Sequence, residues 1–167
     1  MKVSLKPSAG RSATRVVPVF SEGGGKGTTS GLDQADAAVL KTAAAPGIFG
    51  AKKGEVLPQV APGSTGEKTL FLLGLGPRKK LTGEFLRMAF GNLGRRLSGL
   101  GGKSVALALH QGAMSSCIKK LGDADVWRAV VVGCLLGAYD YQEQKGGKKP
   151  RKPASTLVLE SGDSVGK

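Results

Sequence analysis

The sequence has few of the residues from which self-contained active sites are built. It holds one histidine, His110, and two cysteines, Cys117 and Cys134, with no Cys-x-x-Cys spacing. A zinc site or a histidine-dependent catalytic site needs several such residues together, and a disulfide framework needs more cysteines. We therefore expect His110 to be a polar residue at the end of a strand and both cysteines to be reduced.

A long apolar run is also missing. The longest run, residues 129–138, is far shorter than the ~20 residues that a membrane-spanning helix needs. The first six residues, Met-Lys-Val-Ser-Leu-Lys, lack the apolar core and cleavage site of a secretory signal. These absences predict no membrane contact and a location in the cytoplasm.

Motifs for nucleotides, nucleophiles and metal pairs are incomplete or absent. Gly74-Leu75-Gly76 precedes a predicted helix, where backbone N–H groups and the helix dipole favour anions, and Lys79 and Lys80 would add positive charge. Neither the Gly-x-Gly-x-x-Gly pattern nor the P-loop pattern is completed, and no Gly-x-Ser-x-Gly or His-Glu-x-x-His string occurs. Two interpretations stay open, a weak phosphate site and a plain turn, and we favour the turn.

Positive charge is in excess. Lys and Arg total 25 against 12 Asp and Glu, and residues 145–152, KGGKKPRK, hold five of these cations. Such a run either attracts phosphate backbones or forms a solvated linker. We favour the linker because no aromatic side chain is interleaved that could stack on bases. The residues that could contact nucleic acid or another anion are Lys145, Lys148, Lys149, Arg151, Lys152, Lys79 and Lys80.

Residues 69–89 predict the fold class. The apolar run 70–73 is too short for a helix and predicts a buried strand that ends at Gly74 and Gly76. Thr82 is placed to cap a following helix. The apolar residues of that helix recur at intervals of four: Leu81, Phe85, Ala89, Leu93 and Leu97. A buried strand that leads into a surface helix is half of a βαβ unit, so we expect an α/β fold.

The rest of the chain predicts further strands and one more short helix. Pro18 favours an edge position or a bulge for its strand, because proline has no N–H to donate. A helix whose apolar face is formed by Leu32, Ala35, Val39 and Thr42 ends before Pro46, and a polar turn covers residues 61–67. The other predicted strands are residues 2–5, 15–20, 56–60, 105–109 and 156–159.

The last long helix is apolar on almost every side. Asp123 or Asp125 can cap it, and its composition predicts that it is heavily buried. Gly133 and Gly137 form a Gly-x-x-x-Gly spacing, which allows another element to approach the backbone closely. We expect this glycine face to pack against the sheet or a neighbouring helix.

Six blocks, taken in order, resemble the N-terminal domain of the leucyl aminopeptidase family, the M17 metallo-exopeptidases. Together they span nearly the whole chain. The blocks are VVPVF at 16–20, FGAKKGE at 49–55, LLGLG at 72–76 with LTGEFLR at 81–87, KSVALAL at 103–109, GCLLGAY at 133–139 and TLVLES at 156–161.

The resemblance implies one domain over residues 1–160, a mixed sheet flanked by helices and similar to macro domains. Residues 161–167 would be a tail or the start of a linker to a catalytic domain. In the family, that catalytic domain holds two divalent metal ions, zinc or manganese, and carries the string Asn-Thr-Asp-Ala-Glu-Gly-Arg. This string does not occur here. No catalytic, cofactor-binding or metal-binding residue is therefore assigned to any position of the chain.

By the same resemblance, the chain alone is not an enzyme, and its parent protein releases N-terminal amino acids from peptides. The parent would be a homohexamer in which the N-terminal domains support assembly and restrict access to the active sites. The alternative is a stand-alone macro-like module that binds nucleic acid or ADP-ribose-type ligands. No Val-Asn-Ala-Ala-Asn string of ligand-binding macro domains occurs, and net charge alone supplies only weak, sequence-independent affinity for DNA.

Overall fold

Six strands form one sheet in a computed structural model, which describes residues 2–6, 14–22, 34–44, 47–63, 66–98, 104–108, 112–139 and 156–160. The elements within these residues are β1 Lys2–Lys6, β2 Thr14–Phe20, α1 Gln34–Ala43, β3 Val56–Gly63, β4 Gly66–Gly76, a single 3₁₀ turn Arg78–Lys80, α2 Gly83–Leu97, β5 Ser104–Ala108, α3 Gly112–Leu121, α4 Asp123–Ala138 and β6 Thr156–Glu160.

The strand order in the sheet is β1-β6-β5-β2-β4-β3. All neighbours are parallel except β3, which pairs with β4 antiparallel from Val56↔Leu73 to Gly63↔Gly66. Helix α2 connects the parallel strands β4 and β5, between which β2 lies. The predicted mixed sheet flanked by helices is therefore confirmed.

The sheet buries both of its faces. Val16, Phe71, Leu73 and Leu107 point to one face and pack in a core shared with α2, α3 and α4. Val17, Val19, Leu70 and Leu72 point to the other face and pack with Leu40 of α1. This division follows from the alternation of side chains along a strand, and we call the two sides the three-helix face and the α1 face.

The strands differ from the predictions in three places. The edge position predicted for Pro18 is wrong, because β2 lies between β5 and β4, but the alternative, a bulge, has a counterpart in the register shift between Val19 and Phe20. Within the described residues, β5 pairs with β2 at Arg15↔Ala106 and Val16↔Leu107, and Pro18 pairs with Leu73 of β4. Strand β4 does not end before its glycines but runs through Gly76, and the predicted polar turn at 61–67 is mostly strand.

The helices differ more. The buried side of α1 is formed by Asp36, Leu40 and Ala43, one residue further along than the predicted apolar side. Helix α3 had no counterpart among the predicted elements. Helix α4 is capped by Gly122, at φ 86°, rather than by an aspartate side chain.

Some expectations fall outside the described residues. These are the role of His110, the five cations of residues 145–152 and the tail 161–167. Within the ranges that the structure describes, no helix has the length and apolar character needed to cross a membrane.

Candidate functional site

The sequence Gly74-Leu75-Gly76 is held by a backbone contact with the turn at residues 51–55. Gly74 N–H donates to the Glu55 carbonyl over 2.8 Å, Gly54 N–H donates to the Gly74 carbonyl over 2.8 Å, and Gly76 N–H donates to the Ala51 carbonyl over 2.9 Å. A Cβ atom on Gly74 would overlap the Lys52 carbonyl oxygen. Only glycine therefore fits at position 74, because the turn at residues 51–55 packs directly against its backbone.

The turn at 51–55 is fixed from within and from α2. The Glu55 carboxylate accepts the Lys52 N–H over 2.9 Å, while Ala51 adopts the left-handed conformation at φ 50°. From α2, the Asn92 side-chain amide donates to the Gly54 carbonyl over 3.3 Å. The Lys53 ammonium lies 4.7 Å from the centre of the Phe85 ring. The FGAKKGE block therefore has a structural role at the junction of β4 with α2.

The carboxyl ends of β2 and β4 meet at the 3₁₀ turn Arg78–Lys80. Arg78 N–H donates to the Glu22 carboxylate over 2.7 Å, and this bond is the main reason why the pKa of Glu22 is below its usual value of 4.5. The Arg78 guanidinium lies 4.9 Å from the centre of the Phe20 ring. A carboxylate of the chain itself thus occupies an N–H donor that an external anion would need.

The amino end of α2 is occupied in a similar way. Thr82 caps the helix as predicted, and its hydroxyl oxygen accepts the Phe85 N–H over 3.1 Å.

The 3₁₀ turn is also held from α3. The Lys120 ammonium of α3 donates to the carbonyls of Arg78 and Lys79 over 3.1 and 3.2 Å.

The side chains of Lys79 and Lys80 are exposed on the 3₁₀ turn, before α2 begins. Their role as anion contacts stays a prediction. The carboxyl ends of strands are the usual ligand region of open α/β sheets, and here exposed cations dominate that region.

A second group of charges lies on the α1 face, and sequence analysis missed it. Asp36 is only 1% exposed, and its carboxylate is 2.8 Å from the Lys68 ammonium and 3.7 Å from the Arg15 guanidinium. Arg15 also contacts Glu160 over 3.4 Å. These contacts connect α1 with β2, β4 and β6. The signal in the sequence was the spacing of Asp36 with Leu40 and Ala43, which places the carboxylate on the buried side of the helix.

The nucleophilic and metal-binding potential of the described residues is low. Cys117 and Cys134 are buried free thiols, and burial raises the pKa of each to about 12, so the reactive thiolate is scarce at neutral pH. In the part of the chain that the structure describes, no three His, Cys, Asp or Glu side chains are grouped to hold a metal ion.

Residues 16–148 match a sequence model described as the N-terminal domain of the cytosol aminopeptidase family. A protein named "Probable cytosol aminopeptidase" from Geotalea uraniireducens is 32% identical over 97 residues, which are 56% of this chain and 18% of that protein. A protein with the same name from Clostridium perfringens is 32% identical over 80 residues, 48% of this chain and 15% of that protein. The matched region is thus less than a fifth of either relative.

Solved structures support the fold. A tomato leucine aminopeptidase superimposes on 97% of this chain and 33% of its own, with a TM-score of 0.61 and 16% identity. The cytosol aminopeptidase of Coxiella burnetii superimposes on 95% of this chain and 28% of its own, with a TM-score of 0.54 and 17% identity. At this level of identity the likeness concerns the fold.

Proposed function

Since the chain belongs to the cytosol aminopeptidase family and represents its N-terminal domain, we propose that it is the non-catalytic part of a metallo-exopeptidase that releases N-terminal amino acids from peptides. The match over residues 16–148 carries this proposal. This match covers most of the chain, and the segments aligned with the named relatives are 18% and 15% of those proteins. The proposal places the reaction, and two divalent metal ions of zinc or manganese, in a separate catalytic domain.

The role proposed for the chain is assembly. It would hold a homohexamer together and limit which peptides reach the active sites, and it would work in the cytoplasm, as the names of its relatives indicate for them. A domain that buries two faces of its own sheet is a stable unit for such a role. Its external surfaces are then available for contacts with other domains.

The first experiment compares the chain alone with a chimera. The purified chain is expected to hydrolyse no leucyl chromogenic substrate with added zinc or manganese. In the chimera, this chain replaces the matching segment of the Geotalea uraniireducens relative, and we expect a metal-dependent, hexameric aminopeptidase. Metal-dependent turnover by the chain alone would contradict the proposal, as would a chimera that folds but is monomeric.

A second candidate function is weak binding of nucleic acid, which the exposed sequence Arg78-Lys79-Lys80 favours. Binding through charge alone ignores base sequence and falls steeply as salt rises. Fluorescence anisotropy with two unrelated duplexes would test this function at low and at physiological salt. Two charge-reversal variants separate the contributions of the two basic segments to binding. One variant reverses Lys79 and Lys80. The other reverses the cations of the second segment, which we expect to contribute most of the affinity: Lys145, Lys148, Lys149, Arg151 and Lys152. Tight, salt-resistant preference for one duplex would contradict weak binding, and titration with ADP-ribose would test the macro-like alternative.

A further inference from the structure

Helices α2 and α4 both expose apolar side chains to solvent. Between the helices, Gly133 and Gly137 of α4 lie against the carbonyl groups of Arg87 and Gly91 of α2. Away from this contact, and contrary to the prediction that α4 is buried on almost every side, α4 exposes Val132, Leu135, Leu136 and Tyr139. Helix α2 exposes Met88, which is 48% exposed and has a charged group of another element beside it.

The charged group beside Met88 is Lys53, from the turn at residues 51–55. The Lys53 ammonium lies 3.9 Å from the Met88 sulfur and 4.7 Å from the centre of the Phe85 ring. Phe85, Met88 and Asn92 follow one another at intervals of three and four residues, which places them on one side of α2. Since Asn92 donates to the carbonyl of Gly54, this side of α2 contacts both the backbone of the turn and its lysine.

The N–H groups of Lys53 have no strong acceptor in these contacts. A thioether sulfur accepts hydrogen bonds weakly, and an aromatic ring attracts the charge through its face. Glu84, one turn before Met88, accepts two hydrogen bonds from Arg87. Within the residues that the structure describes, the Lys53 ammonium donates to no oxygen atom. An oxygen atom added to Met88 would therefore meet a cationic donor at short range.

We propose that Met88 is a modification site, oxidised by hydrogen peroxide to a sulfoxide whose oxygen binds Lys53. The sulfur lone pair attacks one oxygen of the peroxide and forms the S–O bond. The O–O bond breaks, and the leaving hydroxide takes the proton of the transferred oxygen and becomes water. The sulfur is thus oxidised and the peroxide is reduced. In the epimer that faces Lys53, the new oxygen lies in the 3.9 Å gap, where an N–H···O bond of about 2.9 Å can form.

This sulfoxide would strengthen a contact of the fold. Oxidation usually disrupts the contacts of a methionine, because an apolar side chain becomes polar. Here a charge-assisted hydrogen bond would replace a weak contact between the turn and α2. The same turn packs on Gly74 of β4, so the modification would tighten the junction of β4, α2 and the turn. Methionine sulfoxide reductases restore the thioether, which makes the change reversible. The modification does not depend on the proposed assembly role.

Mass spectrometry of the complete chain, treated with hydrogen peroxide for increasing times and then digested with trypsin, tests the site. Met88 and Met114 fall in separate tryptic peptides, residues 88–95 and 104–119. Met114 is 0% exposed, so Met88 should be oxidised at least about tenfold faster. Equal rates at the two methionines would overturn the site.

Urea denaturation before and after oxidation tests the bond to Lys53. Oxidation should raise the unfolding midpoint of the wild type, whereas in Lys53→Ala, which has no ammonium, it should not. The matched control is Lys52→Ala, which removes the neighbouring exposed lysine of the same turn and should respond to oxidation like the wild type. Because each variant is compared with its own unoxidised form, the loss of the Phe85 contact in Lys53→Ala cancels.

NMR of the lysine ammonium groups provides a local measurement. On oxidation, the nitrogen signal of Lys53 should shift and its protons should exchange more slowly with water, while the signal of Lys52 stays in place. Met88→Leu has no sulfur at this position, so peroxide should change neither its midpoint nor its Lys53 signal. The bond between the sulfoxide and Lys53 would be overturned by any of three results: no response to oxidation in the wild type, a midpoint shift of the same size in Lys53→Ala, or a response that persists in Met88→Leu.

Discussion

The two faces of the sheet are stabilised in different ways. On the three-helix face, the core is apolar, and α2 and α4 are so close that Gly137 lies against the carbonyl group of Gly91. On the α1 face, a smaller apolar cluster adjoins the buried Asp36, which contacts Lys68 and Arg15. One face thus depends on shape and the other also depends on charge pairing.

This difference predicts how each face fails. A close contact between backbones leaves no room for added atoms, so the three-helix face should be sensitive to larger side chains. A buried carboxylate is tolerated only with its partners, so the α1 face should be sensitive to the loss of a charge. Enlarging a side chain on the three-helix face and removing a charge on the α1 face therefore test whether the two faces are stabilised differently.

The largest effect is expected for Gly137→Leu. Even a Cβ atom at this position would overlap the carbonyl oxygen of Gly91, and backbone yields less readily than the end of a side chain. We expect the free energy of unfolding to fall by about 3 kcal/mol, the upper end of the usual cost of overpacking. Urea denaturation followed by circular dichroism measures it.

The matched control for this substitution is Gly83→Ala at the start of α2. A Cβ atom on Gly83 meets nothing within 4 Å, so alanine should be neutral or should stabilise the protein by less than about 1 kcal/mol. If both variants unfolded at the wild-type midpoint, close approach of α2 and α4 would not contribute to stability.

The next effect is expected on the α1 face, for Asp36→Asn. The amide has the same shape but no charge, which leaves the Lys68 ammonium, 12% exposed, without the carboxylate that lies 2.8 Å from it. Loss of one partner of a buried ion pair costs about 3–5 kcal/mol. Arg15 is 26% exposed and can reach water, so we expect a smaller loss of about 2 kcal/mol.

Denaturation of Asp36→Asn beside Lys41→Gln checks this expectation, because Lys41 belongs to the same helix but is exposed. The control should stay within about 0.5 kcal/mol of the wild type. An Asp36→Asn variant as stable as this control would show that the charge contacts are dispensable and that both faces depend on apolar packing.

A smaller loss of stability is expected when the threonine that caps α2, on the three-helix face, is replaced, and we compare it with a threonine of α1 on the other face. The hydroxyl oxygen of Thr82 accepts the Phe85 N–H at the start of α2, whereas the Thr42 hydroxyl donates to the Ala38 carbonyl near the end of α1. Thr82→Ala should cost about 1 kcal/mol because an N-cap is lost. Thr42→Ala should be nearly neutral, because a carbonyl inside a helix already has a backbone partner. Equal midpoints for the two variants would contradict this assignment.

Local patterns were sufficient to predict the presence of the six strands, though not all of their ends, together with α2 and its Thr82 cap and the packing role of Gly133 and Gly137. Each depends on neighbours in sequence or on a property of the residue itself. The partners of these residues could not be predicted. Gly74 requires the absence of a side chain because of the turn at residues 51–55, which approaches it only in the folded chain.

The errors in the helices have a similar origin. The predicted apolar side of α1 lies one residue too early because apolar spacing does not count a charged residue, whereas Lys68 of β4 makes the burial of Asp36 tolerable. In α4, the same apolar composition occurs on the side toward α2 and on the exposed side with Leu136. Composition alone does not tell the buried side of this helix from its exposed side, because both are apolar.

The smallest effect is expected for Glu22→Gln, a surface counterpart of Asp36. Glu22 is exposed at the end of β2, and the N–H of Arg78 holds the pKa of its carboxyl below 4.5. A carboxylate with a lowered pKa stabilises the fold above its unfolded pKa, and this contribution is lost as the pH falls through the folded pKa. At neutral pH the variant should therefore be less stable than the wild type, but by under about 0.5 kcal/mol because solvent screens the contact. The difference should vanish at a pH well below 4.5.

NMR titration of the Glu22 carboxyl group measures its pKa, and urea denaturation at neutral and at low pH measures the difference in stability. A titration midpoint at or above 4.5 would contradict the contact with Arg78. A loss as large as that for Asp36→Asn would contradict the view that burial gives the charges of the α1 face their larger contribution.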